Sequence, residues 1–196
     1  DNNFQYTVLT EVGRVGTVSV GQRTDVILSG ALEIPGSVSR NTMTYSVTYI
    51  AEGAFYICTE LASVTLPQSV TGLGDWAFSG CSSMLSITIP ANVTQFGKGA
   101  FSNCYNLASI TIPDKMTNLG EDAFYDCRNL TEIVVGNNNP AFSSLQGVLF
   151  NKDQTTLIKH PGGKGGDYTI PGGVTTIADY AFEECGWLTK VVIPDS

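Results

Sequence analysis

The stretch AFSGCSSMLSITIP, residues 77–90, is periodic neither as a helix nor, over its full length, as a strand, and the chain repeats it as AFSNCYNLASITIP at 100–113. That repetition decides the fold. The Ala-Phe pair stands at Ala54-Phe55, Ala77-Phe78, Ala100-Phe101 and Ala123-Phe124, every 23 residues, and returns at Ala181-Phe182 after 58. Each Phe is followed three residues later by Cys58, Cys81, Cys104, Cys127 or Cys185, and three further on by Leu61, Met84, Leu107, Leu130 or Leu188. From there the pattern is L-x-x-I-x-I, as in Leu107, Ile110 and Ile112, closed by Pro67, Pro90, Pro113 or Pro194. A second apolar pair comes next: Val70 with Leu73, Val93 with Phe96, Met116 with Leu119.

A fixed 23-residue period is that of a solenoid, in which one coil cannot bury its apolar side alone and does so against its neighbours. Within SITIP the alternation sends Ile87 and Ile89 inward and Ser86 and Thr88 outward, and the proline ends the strand. In register, such strands form a parallel sheet with rungs about 4.8 Å apart. Strands are expected at about 32–34, 64–66, 87–89, 110–112, 133–135, 168–170 and 191–193, seven rungs in all. GEDAFYDC reads as a turn into a short helix on the opposite side, α or 3₁₀. Its first turn is acidic at Glu52, Asp75, Glu121 and Asp179, which suits a helix N-terminus, with Lys98 the exception.

The composite string I-x-x-x-A-F-x-x-C-x-x-L-x-x-I-x-I-P-x-x-V-T-x-I resembles the BspA-type leucine-rich repeat of surface proteins from Bacteroides-type bacteria and some mucosal protists, over about residues 45–135 and 168–196. The resemblance implies a leucine-rich-repeat solenoid, a β-rich α/β repeat. It further implies an exported, surface-displayed adhesin or interaction module without catalytic activity, whose partner is an extracellular host protein or a glycan.

Two places break the beat. Ile34-Pro35 lies 32 residues before Leu66-Pro67, so SVSRNTMTYSV holds about nine extra residues and predicts a hairpin turning at Asn41. Between Val135 and Ile170 the spacing is 35, and GVLFNKDQTTLIKHP within it reads as two apolar strands around the polar turn 151–154. The expected organisation is a small N-terminal β cap over 1–30, built from YTVL, GTVSV and DVILSG, and a solenoid over 31–196 with a hairpin extension at 137–167. The sequence stops at VVIPDS, where the pattern asks for another coil, which is the expectation for a piece of a longer protein.

Charge narrows the partners. Ten Lys and Arg against 18 Asp and Glu give a net charge of -8, a field that repels nucleic acid and anionic lipid. No apolar run reaches the roughly 18 residues a membrane span needs, so membrane insertion by this segment is not expected.

The chemically suggestive residues each have a plainer explanation. Five cysteines at one repeat phase predict a ladder of buried thiols rather than bridges. There is no C-x-x-C and one histidine, His160, expected to be solvated at a hairpin end, so no metal site and no catalytic residues are assigned. GGKGG at 162–166 lacks the phosphate-loop order and reads as a flexible loop. No cofactor is expected. What remains is surface. The outward strand positions change from Ser109 and Thr111 through Glu132 and Val134 to Lys190 and Val192, a candidate ligand strip beside the hairpin at 148–160. Trp76, Tyr180 and Trp187, at exposed positions on the helix side, form a secondary patch.

Overall fold

The computed structural model describes residues 4–12, 15–22 and 27–194. Each repeat makes one coil with three sides. The first side carries the long strands, Gly30–Glu33, Leu61–Thr65, Ser86–Thr88, Ser109–Ile112, Glu132–Val135, Gly166–Thr169 and Leu188–Val192, the seven rungs expected from the sequence. Their pairing is parallel and in repeat register, Val64 beside Ile87 and Ile110 beside Ile133. The second side carries short strands, with Ile50 beside Leu73, Leu73 beside Phe96, and Phe96 beside Leu119.

On the third side, where short 3₁₀ or α turns were expected, residues 52–57, 75–80, 98–103 and 121–126 form hydrogen-bonded turns, with Tyr56 N–H donating to Gly53 O and Ser79 N–H to Trp76 O, both at 3.1 Å, that do not run on into a helix. The cause is backbone handedness. Two residues per coil, four apart, have positive φ: Gly53 and Ile57, Trp76 and Gly80, Gly99 and Asn103, Asp122 and Asp126, Tyr180 and Glu184. A left-handed residue every fourth position cannot continue a right-handed helix. The freed N–H groups reach the next coil: Phe55 N–H donates to Ala77 O at 2.7 Å, Phe78 N–H to Ala100 O at 2.8 Å, and Phe101 N–H to Ala123 O at 2.9 Å. The acidic residues do not cap helices. Asp75 Oδ1 accepts the backbone N–H of Lys98 in the following coil at 2.8 Å.

The core is a column of phenylalanines. Phe55, Phe78, Phe101 and Phe124 stack with centroids 5.0, 5.6 and 6.2 Å apart and interplanar angles of 7°, 4° and 12°. Phe96, from the second side, meets Phe101 edge-on at 5.2 Å. Coils are so close that Gly74, Gly97 and Gly120 have no room for a side chain: a Cβ on Gly97 would lie 2.4 Å from the Asp75 nitrogen.

Phe4–Val12 and Val15–Gln22 form an antiparallel hairpin, but Val15–Gln22 then pairs in parallel with Met43–Ile50 and so begins the second-side ladder. Of DVILSG, 25–26 lie outside the described residues, and 27–29 are not strand. The hairpin at Asn41 forms as expected, with Arg40 opposite Met43 and Asn41 at φ 56°.

The two strands expected around the turn 151–154 form, as Val148–Asn151 and Thr156–Lys159, and a further strand, Phe142–Leu145, precedes them. Phe142–Leu145 and Val148–Asn151 pair across a turn at Gln146 and Gly147, and Val148–Asn151 pairs in turn with Thr156–Lys159. Ile133 N–H donates to Gly147 O at 2.9 Å, so the first hairpin packs beside strand Glu132–Val135. Val148, Phe150 and Leu157 form a second buried cluster with Tyr168, Ile170 and Ala181. GGKGG is no loose loop. Gly163 N–H donates to Leu130 O at 2.8 Å, and a Cβ on Gly163 would sit 2.6 Å from Asn129 backbone.

Phe101 is fully buried between Phe78 and Phe124, so Phe101→Ala is expected to lower stability by about 3–5 kcal/mol through lost transfer energy and a cavity. Thr88→Ala, on an exposed strand position, should stay within about 0.5 kcal/mol. Denaturant midpoints of the two variants check the assignment of faces.

Candidate functional site

The cysteines repeat a hydrogen bond as well as a position. Cys81 donates its S–H to Phe55 O at 3.2 Å, Cys104 to Phe78 O at 3.2 Å, and Cys127 to Phe101 O at 3.1 Å, each reaching one coil back. None of the five is in a disulfide. Burial pushes the Cys127 thiol up to about 12, that of Cys185 up to about 11, and that of Cys104 well above its usual range. These thiols hold a proton, not a nucleophilic charge.

His160 is fully buried, not solvated. The physical reason lies in the ladder. His160 N–H donates to Ala181 O at 2.8 Å, as each framework Phe donates to the next Ala, and its ring stacks on Phe182 with centroids 5.5 Å apart. His160 therefore occupies the phenylalanine slot of a coil that the sequence pattern conceals. Its Nδ1 lies 3.1 Å from the Pro161 carbonyl, so the neutral ring donates there, while Nε2 is buried without a partner. Desolvation lowers the imidazole to about 4, with Lys164 and Lys159 pushing the same way. Cys185 Sγ is 3.4 Å from Nδ1. With the thiol raised and the imidazole lowered, the pair stays neutral at pH 7 and is not poised as thiolate and imidazolium.

Of the secondary patch, Trp76 and Tyr180 sit at left-handed turn positions, 40% and 67% exposed. Trp76 lines a cavity of about 810 Å³ on the turn side, together with Tyr56 and Tyr125. Tyr180 lines a smaller hollow of about 270 Å³ that shares Asp122 and Tyr125 with the first. Trp187 lines neither; it stands just before strand Leu188–Val192. The sequence carries a signal for these positions: Gly53, Gly99, Asp122, Gly80, Asn103 and Asp126 are residue types that tolerate positive φ, and they recur in phase.

The sheet strip falls into two groups. Ser109 pairs with Glu132 and Thr111 with Val134, all four exposed. Lys190 pairs with Asp167 and Val192 with Thr169 in a separate two-stranded sheet, where Lys190 is exposed and Val192 half-buried. The inserted hairpin lies in sequence between them and packs against Glu132–Val135; a Cβ on Gly147 would touch the Glu132 side chain at 3.2 Å.

Seven stacked rungs, a phenylalanine column and a periodic turn face define a bacterial-type leucine-rich-repeat solenoid. The family model for the BspA type leucine rich repeat region matches residues 30–154 and 166–196 in six copies, and the chain belongs to that family. The unmatched gap contains His160. Among solved structures, the pneumococcal vaccine antigen PcpA is 24% identical, covering 100% of this chain and 64% of that one, with a TM-score of 0.61. A leucine-rich repeat protein from Eubacterium ventriosum is 25% identical over 98% of this chain and 58% of that one, at 0.65. One from Bacteroides ovatus is 24% identical over 98% and 52%, also at 0.65. This chain thus spans between half and two-thirds of the length of those proteins. No curated protein matches its sequence. Among the described residues no helix is long and apolar enough to cross a membrane.

Two outcomes follow from the buried groups. Denatured protein without reductant should titrate five thiols, whereas the native protein at pH 8 should react at almost none; a disulfide found by mass spectrometry would overturn the ladder. For His160 the unfolded ring titrates near 6.5 and the folded one near 4, so the stability held by the neutral ring is complete above about pH 6.5 and is lost as pH falls toward 4, by roughly 3 kcal/mol. His160→Phe, which restores the framework residue, should flatten the dependence of melting temperature on pH across that interval.

Proposed function

We propose that this chain is a non-catalytic recognition module of a bacterial surface protein that binds an extracellular host protein or glycan through its sheet face. The observation that carries the reading is a contrast on the same strands. Ile110, Ile112, Ile133 and Val135 face inward and keep the framework, whereas the outward pair, Ser and Thr in three coils as far as Ser109 and Thr111, changes to Glu132 and Val134 in the next. Stacking accounts for the first set and leaves the second free to specify a partner. A rigid sheet face also needs little ordering on binding. Glu132 and Lys190 would supply polar specificity, Val134 and Val192 apolar contact, with Ser109 and Thr111 at the margin and the inserted hairpin as a wall. Membership in the BspA-type family supports extracellular display, and one solved relative is a vaccine antigen. The neutral Cys185–His160 pair supports a role without catalysis.

A combined Glu132→Ala, Val134→Ser and Lys190→Ala variant should keep the wild-type melting temperature and lose attachment to host matrix proteins or mucosal glycans. A folded triple variant that attaches like wild type would remove this strip as the site. If wild-type protein attaches to no such surface, the coils serve as a spacer that displays another part of a longer protein.

A further inference from the structure

The turn face holds a second surface, opposite in origin to the sheet strip. The residue after each framework Phe runs Tyr56, Ser79, Ser102 and Tyr125 along four consecutive coils. Two tyrosines therefore stand as end walls three coil steps apart, about 14 Å at 4.8 Å per rung, with two buried serines as the floor between them. Over these serines lies a cavity of about 810 Å³. Trp76 rises from its middle. It is flanked in phase by Gly53 and Gly99, and its indole lies over Gly99, where a Cβ would come within 2.7 Å of Cδ1.

Trp76 is also costly where it stands. Its φ of 52° belongs to a left-handed position that the coils on either side fill with glycine, and a bulky residue there is a genuine outlier. Strained residues of this kind concentrate where a ligand is held. The rim is polar on both sides, with Glu52, Asn103 and Asp122. Lys98, also at the rim, is engaged by Glu121 at 3.4 Å. The adjoining hollow of about 270 Å³ extends the trough past Tyr125 toward Tyr180, and in it Glu183 Oε2 is buried without a hydrogen-bond partner.

We propose that this trough binds a neutral oligosaccharide, two or three pyranose rings filling the cavity between Tyr56 and Tyr125, with one ring stacked on Trp76. An aromatic face takes the C–H face of a sugar, while the serines, the amide and the carboxylates address its hydroxyls. The unpartnered Glu183 oxygen is an acceptor for a further hydroxyl in a longer glycan. Spacing separates a glycan from a peptide. A pyranose ring advances an extended glycan by about one coil step, whereas an extended peptide returns a side chain to the same face only every two residues, roughly 6.6 Å, out of phase with the coils. Charge selects among sugars: Glu52 and Asp122 on the rim and the net charge of -8 oppose sialylated and uronic-acid glycans.

Binding is read from the emission of Trp76 in a Trp187→Phe background, which leaves it as the single tryptophan. The probes are cellotriose, maltotriose, triacetylchitotriose and lacto-N-tetraose, with sialyllactose and trilysine as charged controls. At least one neutral probe should give a saturable change, and Ser102→Tyr should abolish it. Tyr125 holds the same position in the next coil; because the variant gives up the 2.8 Å hydrogen bond from the Ser102 hydroxyl to Asp122 O, its cooperative melting is checked before binding is read. Trp76→Gly, read by calorimetry, should weaken binding by about tenfold or more while melting no lower than wild type, since glycine relaxes the left-handed backbone. The combined sheet-strip variant should bind the neutral probe as wild type does, which keeps this site distinct from the strip. The proposal is overturned by the absence of saturation with every neutral probe up to about 10 mM. Undiminished binding by Ser102→Tyr, tighter binding of trilysine or sialyllactose, or a Trp76→Gly chain that melts clearly below wild type would overturn it as well.

Discussion

Everything in this molecule conforms to the separation of one coil from the next, and that separation is set where Phe55, Phe78, Phe101 and Phe124 lie face to face 5.0–6.2 Å apart. Rings at that distance leave no space for backbone side chains between coils, so Gly74, Gly97 and Gly120 are required on the flank. The same distance brings each Phe N–H onto the following Ala carbonyl and each cysteine S–H onto the preceding Phe carbonyl. Hydrophobic stacking and hydrogen bonding thus enforce one spacing, and a misfit in either is felt by both.

The inserted segment shows how far the scheme bends. A hairpin packs beside the rung Glu132–Val135, and the chain re-enters the column with His160 in place of Phe. The substitution introduces a titratable ring into a site built for a hydrocarbon. Its Nε2 is tolerable as an unpartnered acceptor, but protonation would create a buried donor with no acceptor. Acid sensitivity is therefore concentrated in the C-terminal cluster of Val148, Phe150, Leu157, Tyr168, Ile170 and Ala181, which adjoins that ring.

A framework this constrained leaves function to the positions it does not use. On the sheet side these are alternate residues of the long strands. On the turn side they are the position after each Phe and the left-handed position two before it, where side-chain size can change without disturbing the column. Tyr, Ser, Ser, Tyr at the first and Gly, Trp, Gly, Asp at the second make a walled trough out of sequence variation alone.

The sequence by itself determined the period, the inward and outward alternation of each strand, the thiol phase, the seven rungs and the hairpin at Asn41, because these depend on spacing and side-chain type, which repetition makes visible. It also singled out Trp76 and Tyr180 as exposed. Only the tertiary structure decided that the acidic segment stays a short turn with two left-handed residues, since an N–H bonded to the next coil competes with one bonded within its own. His160 and GGKGG were illegible for a similar reason: a histidine replaces the marker residue and 162–166 shorten the spacing, so only the hydrogen bond to Ala181 and the contacts at Asn129 reveal the hidden coil. The trough itself joins residues up to 73 positions apart, from Glu52 to Tyr125, and no local pattern records which side chains meet once coils stack.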